Sequence, residues 1–188
     1  VYGRPDVTKN GTYAEYVVVK ANQLNYKPAS IDHIHSAAVP LAGLTAWQCL
    51  FEHGKLQAGQ TVLIHAASGG VGTYAVQFAK WKGARIIATC SKENFELVKN
   101  LGADEVIDYH EEKFEEKAKN VDLVLDLIGG DVQKKSLEVI KEGGILVTTT
   151  GPETMEEAKR KGIIEVGMMA LSLPNDLKQI AELIDAGI

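Results

Sequence analysis

Six residues in the middle of the chain have the types and spacing of a loop that binds phosphate. The loop is Ala67-Ser68-Gly69-Gly70-Val71-Gly72, which matches the pattern G-x-G-x-x-G with alanine in place of the first glycine. Gly69 would let the backbone approach a pyrophosphate, and Gly72 would let a helix pack closely against the preceding strand. The same residues could form an ordinary tight turn, so the surrounding elements decide between the two interpretations.

The loop stands between a predicted strand and a predicted helix, which is the context that a dinucleotide fingerprint requires. Thr61 to His65 is a short apolar run typical of a strand buried on both faces. Apolar residues then recur at helical spacing at Val71, Ala75, Phe78 and Ala79. The first N–H groups of such a helix lack internal partners and attract an anion. This context favours a dinucleotide site over a plain turn.

The residues at the end of the second strand distinguish between the two nicotinamide cofactors. An NAD site usually carries Asp or Glu there, about 20 residues past the glycines, to bind the ribose 2′-hydroxyl. This chain has Thr89-Cys90-Ser91-Lys92, in which a hydroxyl and an ammonium suit a 2′-phosphate. We therefore predict NADP(H), with Ser91 and Lys92 at its phosphate. Alternatively, Ser91 is only a helix cap and Lys92 only a surface charge, and Glu93 keeps NAD possible.

The histidines and cysteines predict neither a metal site nor a second kind of catalysis. His33 and His35 stand two apart on a predicted helix and therefore point in different directions. His65 is interpreted as a strand-end histidine with satisfied hydrogen bonds, and Cys49 and Cys90 as small apolar residues. Because the sequence suggests no nucleophile with a partnered base, no catalytic residue is assigned.

The elements that position these residues alternate between strand and helix. This alternation predicts an α/β fold, a doubly wound parallel six-stranded sheet of the Rossmann type in the order 3-2-1-4-5-6. The six predicted strands are Thr61–His65, Arg85–Thr89, Glu105–Asp108, Val121–Leu127, Gly144–Thr149 and Ile163–Leu171. The other predicted helices are Asp32–Ala38, Leu41–His53, Ser91 (as cap) to Asn100, Asp131–Ile140 and Asp176–Ala186, with a helix or turn at Lys113–Lys119. A separate strand is predicted at Tyr13–Lys20.

Composition limits the classes of partner. The chain has 188 residues, a net charge of −5 and 45% hydrophobic residues, which is the balance of an ordinary soluble domain. The mild acidity argues against nucleic acid, which would need clustered Lys and Arg, and no apolar run is long enough to span a membrane. The two cysteines stand alone, as is common in a reducing compartment, so we expect a cytoplasmic protein.

Several motifs, in order along the chain, are similar to those of one family. They are GTYAEYVVV at Gly11–Val19, AAVPLAGLTAW at Ala37–Trp47, VLIHAASGGVG at Val62–Gly72, LGADEVIDY at Leu101–Tyr109 and DLIGG at Asp126–Gly130. Together they resemble the zinc-independent quinone oxidoreductase branch of the medium-chain dehydrogenase/reductase superfamily. The resemblance covers nearly the whole chain.

The resemblance implies a longer polypeptide in which a GroES-like substrate domain is interrupted by the dinucleotide-binding domain. Residues 1–28 would be a remnant of the substrate domain and residues 29–188 the Rossmann domain, a fragment that we expect to be inactive by itself. The implied reaction is hydride transfer from NADPH to a quinone or enone. Open alternatives are an enoyl-thioester reductase and a nucleotide-binding protein that serves a partner without turnover. A methyltransferase is disfavoured because no acidic residue is placed to clamp a ribose.

The resemblance also implies roles for single residues. Tyr109 would lie beside the 2′-phosphate, although a strand-end tyrosine could simply be solvated. Thr45 would face the nicotinamide, although a helical threonine can bond back to its own turn. The nicotinamide would be held after the fourth and fifth strands, at the topological switch point, where glycines could equally be turn residues. The residues concerned are Ile128, Gly129, Gly130, Thr149, Thr150 and Gly151.

Two further expectations concern zinc and assembly. Leu41 stands where zinc-dependent relatives carry a catalytic cysteine, and Val1–Asn10 contain no cysteine for a structural zinc lobe. Because an aliphatic side chain cannot bind zinc, we expect no metal. The sixth strand, Ile163–Leu171, would form an apolar edge of the sheet, which pairing with a second copy would cover. We therefore expect a homodimer through that strand.

Overall fold

The computed structural model describes residues 1–6, 8–9 and 11–188, and these divide into two compact units. The terminal unit combines Val1–Thr45 with Ala170–Ile188, and the central unit is Ala46–Met169. This division does not follow the boundary expected after Pro28, because the last helix of the chain groups with the first residues. The assignment of residues 1–28 to a GroES-like domain stays a prediction.

The regular elements alternate along the central unit. In chain order they are β1 (Tyr2–Gly3), β2 (Leu24–Asn25), α1 (His33–Ala37), α2 (Val39–Trp47), β3 (Thr61–Ile64), α3 (Gly70–Lys82), β4 (Arg85–Cys90), α4 (Phe95–Asn100), β5 (Glu105–Asp108), α5 (Phe114–Lys117), β6 (Val121–Asp126), α6 (Gly130–Ser136), β7 (Ile140–Thr148), α7 (Met155–Arg160), β8 (Ile164–Gly167) and α8 (Pro174–Asp185). Short 3₁₀ segments cover Ala21–Gln23 and Lys92–Asn94, and a π-helical segment, Gln48–His53, continues α2.

The central unit is built on one parallel sheet of six strands. Their order is β5-β4-β3-β6-β7-β8, which confirms the predicted Rossmann arrangement. β3 lies in the middle, where Val62 pairs with Ile86 of β4 and with Leu123 of β6. Successive residues of β3 are fully buried, as expected for a strand with helices on both faces. The chain reverses its direction of winding at β3, so a crevice opens beyond its carboxyl end.

One apolar cluster supports the face of the sheet that carries α5 and α6. It draws residues from the strands and from the segments that follow them, so the crossovers are packed onto the sheet rather than laid over solvent. Its members are Leu63, Ile87, Ile107, Phe114, Ala118, Val121, Val124, Leu137, Val139, Ile140, Leu146, Ala158 and Ile163.

Four predictions about single elements differ from the structure. The strand predicted at Tyr13–Lys20 is wrong: these residues form bends and irregular backbone, and Tyr13 and Val18 are fully exposed. β-branched and aromatic residues favour a strand only where neighbours pack against it, and none pairs with this stretch among the described residues. α6 ends at Ser136 because β7 already begins at Ile140, β8 is shorter than predicted, and α7 was not predicted.

The terminal unit is held together by contacts between the beginning and the end of the chain. The hydroxyl of Tyr2 donates to the carbonyl of Leu177 at 2.5 Å, and the amide of Asn25 donates to the carbonyl of Pro174 at 2.7 Å. The carboxylate of Asp185 accepts from the backbone N–H of Ser30 at 2.8 Å. Among the described residues, no helix is both long enough and apolar enough to cross a membrane.

The turn between β3 and α3 brings the helix unusually close to the strand. Ala66 adopts a left-handed conformation with φ of 51°, and its carbonyl accepts from the N–H of Gly69 at 3.0 Å. An ideal Cβ on Gly72 would lie 2.3 Å from that same carbonyl oxygen and 2.6 Å from Cα of Ala67. Backbone atoms cannot move aside as a flexible side chain can, so this position requires glycine.

We predict that Gly72→Ala lowers the free energy of unfolding by about 1–3 kcal/mol, because the added methyl overpacks the β3–α3 contact. Gly70→Ala is the matched control, since a Cβ at Gly70 meets nothing within 4 Å. The control should be neutral or slightly stabilising, because alanine is the better helix former. Urea denaturation of both variants measures the difference, and equal effects would contradict the close packing.

Candidate functional site

A cleft of about 650 Å³ lies in the central unit at the carboxyl ends of the strands. Its walls come from the segments that follow β3, β4, β5 and β6, so it occupies the position where open α/β sheets bind ligands. The lining residues are His65, Ala66, Ser68, Gly69, Thr89, Cys90, Ser91, Asn94, Tyr109, Glu112, Lys113, Phe114, Glu115, Ile128, Asp131, Val132 and Lys135. We call this space the strand-end cleft.

The strand-end cleft brings together five of the residues that the sequence predicted as cofactor contacts. These are Ser68, Gly69, Ser91, Tyr109 and Ile128, which come from four different segments. The remaining predicted residues adjoin these segments without lining the cleft, except Thr45, which belongs to the terminal unit. The hydroxyl of Thr45 donates to the carbonyl of Leu41 at 2.7 Å, which is the bond back to its own turn that the sequence left open.

The glycine loop supplies backbone donors at the start of a long helix. Gly69 is the N-cap of α3, and Gly70, Val71 and Gly72 form its first turn, where N–H groups have no intrahelical acceptor. Ala67 differs from them, because its N–H donates to the carbonyl of Thr89 at 3.0 Å and its side chain is buried. Ala67 therefore ties the loop to β4, and the N–H groups of the α3 first turn are the ones suited to an anion.

The segment after β4 presents a hydroxyl and a carboxylate side by side. The hydroxyl of Ser91 donates to the carboxylate of Glu93 at 3.0 Å and accepts from the side-chain amide of Asn94 at 3.0 Å. Ser91 occupies a helix-cap position, but its side chain makes no capping hydrogen bond. Lys92 is exposed and does not line the cleft, so its ammonium would reach a ligand only by a change of side-chain conformation.

Charged side chains in the wall of the strand-end cleft are paired with one another. Lys135 lies 3.1 Å from Glu115, and Lys113 lies 3.2 Å from Glu116. Burial alone would raise the pKa of Glu115, but backbone hydrogen bonds and Lys135 outweigh it and hold that pKa below its usual value. The wall around Phe114 is therefore close to electrically balanced, which suits a neutral ring more than an additional phosphate.

Neither cysteine of the central unit is built to react. Burial raises the pKa of the Cys49 thiol to about 12. Burial and the nearby charge of Asp108 raise the pKa of Cys90, which lies in the wall of the cleft. Because the thiolate is the nucleophilic form, both behave as the small apolar residues that the sequence indicated.

His65 is buried beside the cleft and fully hydrogen-bonded. The hydroxyl of Ser136 donates to the carbonyl of Val132 at 2.7 Å, so its oxygen accepts from Nε2–H of His65 at 3.1 Å. Nδ1 then accepts from the hydroxyl of Thr89 at 3.1 Å. Burial lowers the pKa of His65 to about 4, against the opposing charges of Asp126 and Glu115. The interpretation as a satisfied, neutral histidine is confirmed.

The loops after β6 and β7 meet at a close contact. Gly129 has φ of 80°, and an ideal Cβ on it would lie 2.5 Å from the hydroxyl oxygen of Thr150. Both the positive φ and this contact favour glycine, so Gly129 is more than an interchangeable turn residue. The two predicted nicotinamide segments, Ile128–Gly130 and Thr149–Gly151, are thus neighbours in space.

Sequence reasoning missed the buried residues that join these two loops. The carboxylate of Asp126 accepts from the side chains of Gln133 at 2.9 Å and Thr148 at 3.0 Å, and all three residues are fully buried. The available signal was a charged residue at the end of the apolar run of β6, because charge is rarely buried there without partners.

Comparison with known proteins follows the same lines as the fold. A family model described as zinc-binding dehydrogenase matches residues 70–185. The chain belongs to this family. A Danio rerio relative, NAD(P)H oxidoreductase RTN4IP1, mitochondrial, is 38% identical over 184 residues, which cover 93% of this chain and 47% of the relative. The NADPH-dependent alkenal/one oxidoreductase, chloroplastic, of Arabidopsis thaliana is 40% identical over 146 residues, or 77% of this chain and 37% of that protein.

Solved structures agree with this membership. The structure of the quinone oxidoreductase from Coxiella burnetii superposes with a TM-score of 0.81 at 38% identity, covering 86% of this chain and 52% of that one. The family member described here therefore lies in the zinc-independent, quinone oxidoreductase-like branch of the medium-chain dehydrogenase/reductase superfamily, as its motifs indicated. The chain spans about half the length of the curated relatives it matches.

The family description names zinc, but the described residues do not fit a zinc site. In residues 1–6, 8–9 and 11–188, no group of three or more His, Cys, Asp or Glu side chains could hold a metal. Leu41, at the position of the catalytic cysteine of zinc-dependent relatives, offers no donor atom. The family model thus matches the fold of this chain while the zinc chemistry in its description does not.

The expected cytoplasmic location is contradicted by the comparisons. The names of the zebrafish and Arabidopsis relatives place those proteins in mitochondria and chloroplasts. The expectation was wrong because unpaired cysteines report a reducing environment and do not identify the compartment.

We predict that His65 makes stability depend on pH. The unfolded chain binds a proton at His65 near the ordinary pKa of 6.5, whereas the folded chain does so only near 4. Its contribution is therefore complete above pH 6.5 and is lost as the pH falls to 4. In His65→Gln, the free energy of unfolding should fall less steeply across that range, by at most about 1.4 kcal/mol per pH unit.

The measurement is chemical denaturation at several pH values, with His53→Gln as the control, because His53 is an exposed histidine. The control should follow the parent protein. A slope for His65→Gln that also equals that of the parent would contradict a buried neutral imidazole.

Proposed function

We propose that this chain is the NADP(H)-binding part of a zinc-independent oxidoreductase, which transfers hydride from NADPH to a quinone or another conjugated carbonyl compound. The observation that carries the proposal is the strand-end cleft, which opens beside the glycine loop at the switch point of a parallel sheet. Relatives named as NADPH-dependent alkenal/one and quinone oxidoreductases support the cofactor and the acceptor class.

The segments around the cleft provide a place for each part of the dinucleotide. The N–H groups of Gly70, Val71 and Gly72 bind the pyrophosphate, since they are the free donors at the start of α3. Ser91, Lys92 and Tyr109 bind the 2′-phosphate. The loops Ile128–Gly130 and Thr149–Gly151 hold the nicotinamide, and Thr45 is assigned to the same end of the cofactor.

The residues of the chain bind and orient, and NADPH, when bound, supplies the hydride. Because the described residues offer no zinc ligands, the oxyanion that develops on a conjugated acceptor is stabilised by hydrogen bonds or water. The paired charges and apolar rings in the cleft wall help to exclude bulk water. No side chain of this chain is assigned as a catalytic acid or base, and His65 is too well satisfied to act as one.

The acceptor can be identified by turnover of the purified protein. NADPH oxidation with a quinone or an enone supports the proposed reaction, whereas turnover with a 2-enoyl thioester in preference to both would favour an enoyl-thioester reductase. NADPH binding without turnover of any acceptor would favour a nucleotide-binding protein that serves a partner. Failure to bind NADPH would refute all three.

We further propose that residues 1–28 belong to a GroES-like substrate domain and that two copies pair through the β8 edge. β8 is the last strand of the sheet, and Ile164 on it is half-exposed. Sedimentation velocity at micromolar concentration should show a dimer for the parent protein and a monomer for Ile164→Lys. Ile34→Lys, an exposed position in the terminal unit, should remain a dimer; a monomeric parent would refute this proposal.

We predict that Lys92→Glu weakens NADPH binding at least about tenfold, because a carboxylate replaces the ammonium at the 2′-phosphate. NADH binding should be unchanged or stronger, since NADH lacks that phosphate. Isothermal titration with both nucleotides measures the two dissociation constants. The control is Lys159→Glu, which makes the same charge change on α7, outside the residues that line the cleft. An equal loss in both variants would show only a general effect of charge.

A further inference from the structure

The carboxylate of Asp126 is fully buried at the end of β6 and accepts four hydrogen bonds. One oxygen accepts from the backbone N–H groups of Ile128 at 3.0 Å and Gly129 at 2.9 Å. The other accepts from the side-chain amide of Gln133 at 2.9 Å and the hydroxyl of Thr148 at 3.0 Å. Because all four partners are donors, both oxygens must act as acceptors, as they do in a carboxylate.

Two of these partners extend the network to the loop after β7. The amide nitrogen of Gln133 also donates to the carbonyl of Gly151 at 3.0 Å, and its oxygen accepts from the N–H of Glu153 at 2.8 Å. Since the hydroxyl of Thr148 donates to Asp126, its oxygen is left to accept from the hydroxyl of Thr150 at 3.0 Å. One buried carboxylate thus orders two loops that are not adjacent in sequence.

We propose that Asp126 is a positioning residue, which sets the two loops at the separation required by the nicotinamide half of the dinucleotide and acts on them through Gln133 and Thr148. This inference rests on the proposed function, which assigns the nicotinamide to these loops. Asp126 touches no ligand itself, because it is buried beneath the loops.

The chemistry of the network explains why an acid is needed there. Burying a charge is costly unless hydrogen bonds compensate for it, and four donors aimed at two oxygens provide that compensation. Asparagine has the same shape but only one acceptor oxygen, so its NH₂ would face two of the four donors. Asp126→Asn should therefore disturb one pair of contacts, and with it one of the two loops, without creating a cavity.

The test compares two ligands that differ only at the nicotinamide. They are NADP⁺ and 2′-phospho-ADP-ribose, which is NADP⁺ without its nicotinamide ring, and isothermal titration of the purified protein gives both dissociation constants. Asp122→Asn is the matched control, because Asp122 lies on the same strand and its carboxylate accepts from the N–H of Thr61 at 2.8 Å, four residues before Asp126. Circular dichroism establishes that each variant is folded.

In Asp126→Asn, NADP⁺ should bind about tenfold more weakly, while 2′-phospho-ADP-ribose changes less than about threefold. Asp122→Asn should leave both dissociation constants near those of the parent. Equal weakening of both ligands by Asp126→Asn, or no weakening of either, would overturn the inference. A parent protein that binds neither ligand would refute the proposed function itself.

A second variant keeps the test decisive if Asp126→Asn does not fold. Thr148→Val removes one donor to Asp126 and the contact with Thr150 at almost constant volume. The same split between the two ligands is expected, with a smaller loss for NADP⁺ of about threefold. A loss of equal size for both ligands would again overturn the positioning role.

Discussion

The carbonyl of Ala66 and the backbone of Gly72 approach so closely that no side chain fits between them. This contact fixes where α3 begins relative to the end of β3, and thereby aims the first turn of the helix at the crevice. The left-handed conformation of Ala66 is part of the same arrangement, because it directs the carbonyl towards the helix. The strand, the turn and the helix therefore act as one rigid piece, against which the other segments of the cleft are placed.

The site contains two buried titratable groups that are kept in opposite states by the same principle. Asp126 is surrounded by donors, so the charged form is satisfied. His65 has one acceptor and one donor beside its ring, so the neutral form is satisfied. In both cases the surrounding hydrogen-bond polarity selects the form, because burial alone would favour the neutral form of each. Polar groups below the cleft thus support the architecture and leave hydride chemistry to the cofactor.

The sheet and its order could be predicted because buried parallel strands leave continuous apolar runs, separated by helices, in the sequence. The segment Tyr13–Lys20 has strand-like residues but no strand to pair with, and propensity cannot supply a partner. In the site, the role of Gly72 was visible because its contacts lie within six residues. The role of Asp126 was not, because Gln133 and Thr148 are 7 and 22 residues away and meet it only after folding.

The terminal unit has a consequence for the order in which the chain acquires structure during synthesis. Residues near the start, such as Tyr2 and Asn25, find their hydrogen-bond acceptors on α8, which the ribosome releases last. The central unit needs only Ala46–Met169 and can be complete earlier. The first stretch of the nascent chain must therefore wait, unpaired, until the final helix emerges, and during that interval a chaperone would find it accessible.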